Sequence, residues 1–219
     1  MSAVGEIDRL IRERHLLKHP FYAAWSRGEI SRETLRDYAG QYYHFESNFP
    51  RFVGATYAHL TDPAARRTLL ANLIDEEGRD PTHPELWIDF GRGLGLTRRA
   101  IRDARPHPAT RNLLATYERQ TLHGSLASGL GALYAYESIF PEIAAEKSRG
   151  LREHYGIRSA SAHEFFRVHA TADIEHSGAE RRLLARELGR SGRAVRDARA
   201  GARSSVDAWW KFLDAFPAD

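Results

Sequence analysis

The chain has 219 residues, of which 42% are hydrophobic and 11% aromatic, with a formal net charge of +3 and no cysteine. That length allows one domain with a substantial core. The missing cysteines exclude disulfides, thiolate metal sites, iron–sulfur clusters and cysteine nucleophiles.

The N-terminal MSAVGEIDRLIRER carries charges where a secretion signal needs an apolar centre. No apolar run reaches the roughly 20 residues that span a bilayer. A cytoplasmic location with no membrane partner is therefore expected. The only lysines are Lys18, Lys147 and Lys211, so nearly all basic charge is arginine. The arginine-rich stretch from Arg181 to Arg203 reads as a solvated helical face. No base-reading motif accompanies it, and no nucleic-acid partner is expected.

Taken in order, the elements are almost all helical. Residues 4–17 have apolar positions at helical spacing and close at Lys18-His19-Pro20. A short helix follows Pro20. Ser31 opens a long helical segment that Pro50 breaks or kinks. Asp62 as N-cap, Pro63 in the first turn and Gly78 as a stop bound the next helix. A loop with Pro81 leads into HPELWIDFGRGLG. Further helices fit 108–122, 124–139 and 141–154. Ser161 and Glu164 have capping-box spacing ahead of another, and the last spans about 203–216, with Trp209 and Trp210. No strand, repeat or linker is evident. The fold class is all-α, a single compact bundle over 1–219.

Three stretches carry chemistry. In FFRVHATADIEHSGAE, His169, Asp173 and His176 fall at i, i+4 and i+7, within roughly 60° around a helix axis. Glu180 continues the line. The two histidines stand roughly 10 Å apart along the axis, too far for one ion to take both together with Asp173. Two ions about 3.5–4 Å apart fit this spacing, one at each histidine with Asp173 between. The alternative is a buried polar network. In SLASGLGALYAYESIFP, Glu137 is the only charge. A buried carboxylate is costly unless it meets a cation, and an arginine is the alternative partner. In LIDEEGRDPTH, Glu76 or its neighbour Glu77 ends a helix, and His83 follows across a Gly/Pro break. Glu76, Glu137 and Asp173 with His83, His169 and His176 make a ligand set suited to two O2-activating metals.

These motifs, E-x6-H, an isolated Glu and H-x3-D-x2-H in this order over roughly residues 15–185, resemble the haem-oxygenase-like di-metal oxidases. The resemblance implies a seven- to eight-helix bundle that binds no haem. It would hold two divalent metals, Fe/Fe or Fe/Mn, and use O2 and an external reductant. Within that family the chain resembles the group of the chlamydial protein associating with death domains and its bacterial relatives. They form p-aminobenzoate for folate biosynthesis from a tyrosine of the protein itself, with a lysine as amino donor. The resemblance puts Tyr22, in HPFYAAW, in the place of the consumed tyrosine. Tyr136, just before Glu137, becomes a radical relay, and Lys147 the amino donor. Read without the resemblance, Tyr22 is a core tyrosine, Tyr136 a hydrogen-bond donor behind the ligands and Lys147 a surface residue. The resemblance implies no external aromatic substrate. A homodimer is the default assembly.

Two other functions stay open at this level. One keeps the metals but oxidises an external fatty acid or amino-acid nitrogen, with Tyr42, Tyr43 and Phe45 lining its pocket. The other is a helical protein-interaction module that docks through the arginine-rich stretch and the aromatic C-terminus.

Overall fold

The computed structural model describes residues 2–216. Twelve α-helices follow in order: α1 Ala3–Glu13, α2 Pro20–Arg27, α3 Arg32–Glu46, α4 Phe49–Ala58, α5 Pro63–Glu77, α6 His83–Gly93, α7 Arg98–Arg102, α8 Pro108–Thr121, α9 Leu126–Glu137, α10 Phe140–Glu153, α11 Ala160–Leu188 and α12 Gly192–Leu213. No strand occurs among the described residues. The number exceeds seven or eight because breaks divide longer paths. The breaks between α3 and α4 and between α9 and α10 each precede a proline, Pro50 or Pro141, in the first turn of the second helix. There its missing N–H costs nothing.

The expected start of α5 is present: Asp62 accepts from the Ala65 N–H, and Pro63 follows in the first turn. Three boundaries differ from the expectation: the first helix ends at Glu13, before a separate 3-10 turn at Leu16–Lys18, and two later starts move. Ser161 lies inside α11, whose N-cap is Ser159, and Glu164 pairs with Arg167 on the exposed face. The last helix starts at Gly192, not near 203, with Ser191 capping the Ala194 N–H. Helix α7, capped by Thr97, had no counterpart in the sequence reading. At five residues it is too short for a periodic pattern.

Helix α9 lies at the centre, packed against α12, α11, α8 and α4. Its glycines allow that contact. A Cβ on Gly131 would stand 2.2 Å from the Ala198 carbonyl oxygen, and one on Gly201 would stand 2.1 Å from that of Ser128. Two backbones can approach this closely only where side chains are absent. Nearly all of the buried apolar side chains form one continuous cluster.

The aromatic C-terminus does not present a free apolar face. Trp209 and Phe212 are buried, and Trp210 is half-buried beneath Arg14. Arg181, Arg186, Arg190, Arg193 and Arg199 each pair with an acid, as a solvated face does. Among the described residues no helix is long and apolar enough to cross a membrane.

Candidate metal centre

All six expected ligands are buried: Glu76, His83, Glu137, His169, Asp173 and His176. Helix α5 delivers Glu76 in its last turn, facing inward, while Glu77 points to solvent. Of the two glutamates, Glu76 is the one that faces the cluster. His83 is the first residue of α6. Its Nδ1 donates to Glu76 Oε2 at 2.8 Å. Glu137 ends α9, and α11 presents His169, Asp173, His176 and Glu180 along one buried stripe.

Two tight groups of ligand atoms form. Glu46, Glu76, His83 and His169 make one, and Glu76, Glu137 and His176 make the other. Glu76 belongs to both. The two histidines of α11 thus stand at opposite ends, as their spacing requires. Asp173 lies between them, with Oδ1 3.7 Å from His176 Nδ1, but it joins neither tight group.

Glu46 was not among the expected ligands. A signal for it existed: on α3 it continues the buried face of Leu35, Tyr38, Ala39 and Tyr42. An acid on such a stripe has the same meaning as Glu137. Glu180 is also inward, only 1% exposed.

The set is far too acidic to stand alone. Glu46, Glu76, Glu137, Asp173 and Glu180 are five buried carboxylates, and among the described residues none pairs with an arginine or lysine. The arginine alternative for Glu137 is therefore not realised; its partners are Asn72 Nδ2, at 3.1 and 3.3 Å, and His176. Buried polar atoms ordinarily find partners. Here Glu46 Oε1, His83 Nε2, Asp173 Oδ2, His176 Nδ1 and both oxygens of Glu180 have none. Orphaned donor atoms of the hard-oxygen and imidazole type, converging in one place, suit two divalent first-row metals. Two such ions bring four positive charges to offset the acids.

Electrostatics agree. Burial, then the charge of Glu76, pushes Glu46 up to about 8. Burial, then the charge of Asp75, pushes Glu76 up to about 8. Burial, then Glu137 and Glu76, holds Asp173 well above the ordinary range. Burial keeps His83 and His169 below the usual imidazole value, in the neutral form that binds metals. Outer partners aim the rings. His169 Nδ1 donates to the Phe165 carbonyl at 2.8 Å, which leaves Nε2 free. Asp75 Oδ2 lies 3.3 Å from His176 Nε2. Neither Asn72 nor Asp75 was singled out from the sequence.

Next to this cluster is an aromatic box. Lys147 is fully buried and its Nζ has no hydrogen-bond partner. It stands 4.4 Å from the ring centre of Tyr42, 5.1 Å from Phe140, 5.2 Å from Tyr38, 5.3 Å from Trp87, 5.7 Å from Tyr22 and 5.9 Å from Phe166. Burial drives its pKa well below the ordinary lysine value, and the charge of Glu46 opposes that only in part. The surface location open to Lys147 in the sequence is thus ruled out. Tyr22 is buried, its hydroxyl 3.1 Å from that of Tyr38. Tyr136 faces a different side of α9 from Glu137. It stacks on Trp209 with centroids 5.2 Å apart and hydrogen-bonds to Tyr42 through the two hydroxyls.

The aromatic trio Tyr42, Tyr43 and Phe45 does not line one pocket. Tyr42 and Phe45 are core residues, while Tyr43 borders a surface recess with Arg98 and Arg102. Successive positions on a helix diverge by about 100°. A groove of about 560 Å³ does open between α5 and α11, lined in part by Asn72, Asp75, Arg79, Arg167 and His176.

Residues 36–210 match the family model described as iron-containing redox enzyme. The chain is 37% identical to the 4-aminobenzoate synthase of Chlamydia pneumoniae, over 98% of this chain and 95% of that one. It is 38% identical to the 4-aminobenzoate synthase of Nitrosomonas europaea, over 95% and 88%. Among solved structures, a haem-oxygenase-like domain of unknown function from Shewanella denitrificans superposes with TM-score 0.80 at 17% identity, over 97% and 89% of the two chains.

Proposed function

This chain belongs to the family of iron-containing redox enzymes with a haem-oxygenase-like fold, and from that premise we propose that it forms p-aminobenzoate from its own Tyr22 with Lys147 as amino donor. It is an oxidoreductase. The observation that carries the reading is the neighbourhood of two buried groups: a carboxylate-rich di-metal set, and an unpartnered lysine boxed by tyrosines.

The ligands in this reading are Glu76, His83, Glu137, His169, Asp173 and His176, with Glu46 as an added carboxylate. Fe/Fe or Fe/Mn, when bound, supplies the one-electron chemistry that reduces O2. The protein's own side chains do the rest. Glu76 spans the two halves. Phe165 and Asp75 orient His169 and His176. The box buries Lys147 and favours its unprotonated form, the form in which an amine can attack an electrophilic carbon. Tyr22 and Tyr38 place two phenols beside it. A protein that consumes its own residue acts once.

The test is an anaerobic load with Fe(II), alone and with Mn(II), followed by O2 and a reductant. The protein carries ¹³C-tyrosine and ¹⁵N-lysine. The expected product in the protein-free filtrate is p-aminobenzoate with both labels. A metal-loaded protein that makes product only from an added compound, without label, would replace this reading with an external-substrate oxidase. The groove reaching His176 is the feature that favours that second reading. Failure to bind metal would remove both.

A further inference from the structure

We propose that Tyr42 is the side chain that carries an oxidising equivalent from the metal end of the bundle into the Lys147 box, an inference that rests on the function proposed above. Several contacts converge on it. Its hydroxyl hydrogen-bonds to that of Tyr136. Its ring is the nearest of the six to Lys147 Nζ, at 4.4 Å. Its centroid lies 5.7 Å from that of Tyr38, which in turn meets Tyr22. It precedes Glu46 by one turn of α3. The rings of Phe140 and Phe165 each lie 6.4 Å from it, and 5.4 and 4.0 Å from His169. Among the described residues, Tyr42 alone joins Tyr136 by a hydrogen bond and Lys147 by a ring face.

The hydrogen bond supplies what the chemistry demands. A phenol that loses an electron must lose its proton too, and a dry core offers few acceptors. Tyr136, if it gave its phenolic hydrogen atom to the O2-derived oxidant that the bound metals would supply, would become a phenoxyl radical. Tyr42 then gives it one hydrogen atom across the shared bond. The O–H bond of Tyr42 breaks, that of Tyr136 re-forms, and the radical is on Tyr42. The two groups are chemically alike, so the exchange is close to thermoneutral. A competing branch leads away from Lys147: Trp209 lies flat on Tyr136, 9° from parallel, and its Nε1 donates to Tyr117 at 3.1 Å.

Tyr42→Phe removes the hydroxyl and keeps the ring that stacks 4.0 Å from Trp87. The expected variant binds both metals and consumes O2, yet releases no p-aminobenzoate and keeps Tyr22 in its intact mass. Freeze-quench EPR would then place the radical on Tyr136 or Trp209. In a second variant, 3-aminotyrosine at position 42, which is easier to oxidise, is expected to trap the equivalent there as an aminotyrosyl signal. Metal-free protein gives a separate readout: the ¹⁹F resonance of 3-fluorotyrosine at position 136 should shift on Tyr42→Phe. Normal product from Tyr42→Phe, no aminotyrosyl signal, or an unmoved fluorine resonance would each overturn the role of Tyr42. Wild-type protein that binds metal but makes neither radical nor product would instead overturn the proposed function.

Discussion

The carboxylate cluster and the Lys147 box lie side by side in one core, and burial acts on them in opposite senses. In the cluster it raises acids, Glu46 and Glu76 to about 8, because anions lose their water. In the box it lowers an amine, because a cation loses its water. Each region suppresses its own charge, but the remedy differs. The cluster has several acids and orphaned donor atoms, so cations from outside restore it. The box has one amine and six rings, and its burial favours the neutral amine. Glu46 is the joint, since it lies in the first metal group and its charge reaches Lys147. The difference separates a cluster suited to cations from a box that favours a neutral amine.

The largest effect expected is a clean division of labour. Tyr22→Phe and Lys147→Met should each abolish p-aminobenzoate while metal content by elemental analysis stays at two ions per chain. Joint loss of metal and product in either variant would break the comparison. Next, Glu76→Ala should empty both halves of the cluster, because Glu76 is the shared member. Glu77→Ala, altering an exposed side chain, should leave both full. Loss of one ion only from Glu76→Ala would show that the halves do not share it.

Smaller effects concern stability. In metal-free protein, Lys147→Met should raise stability by about 1–3 kcal/mol, since an unpartnered buried polar group gives way to an apolar one. Denaturant unfolding measures this. The last concerns pH. Burial pushes Glu46 and Glu76 up to about 8 in the folded protein, against 4.5 ordinarily. Between those values the native state holds more protons than the unfolded one, so metal-free stability should fall as pH rises from about 5 to 8. Metal loading near pH 7 should release protons, and affinity should climb towards pH 8. A flat metal-free profile would mean that the cluster is wet.

Much of this was legible in advance. The i, i+4, i+7 spacing of His169, Asp173 and His176 is a property of α-helical geometry and survives any packing. Glu137 stood out because a charge is expensive in an apolar segment. Asp62, Pro63 and Gly78 bounded α5 because capping is local. What escaped depends mostly on contacts between helices. Glu46, Asn72 and Asp75 acquire roles from partners on other helices: Glu46 from His169, Asn72 from Glu137, Asp75 from His176. The start of α12 was missed because Gly192 and Gly201 read as loop signals, although the Ala and Arg between them favour a helix. Gly201 is there because the α9 backbone passes too close for a side chain.

The sequence by itself therefore determined the all-α class, the helical phases and six buried candidate ligands, because these depend on residues a few positions apart. Only the tertiary structure decided that Glu76 and not Glu77 faces inward, that Glu46 joins the cluster and that Lys147 is enclosed. Those outcomes depend on which helices meet. Side chains far apart in the chain share one dry volume, and the desolvation of charge there is a property of the whole fold.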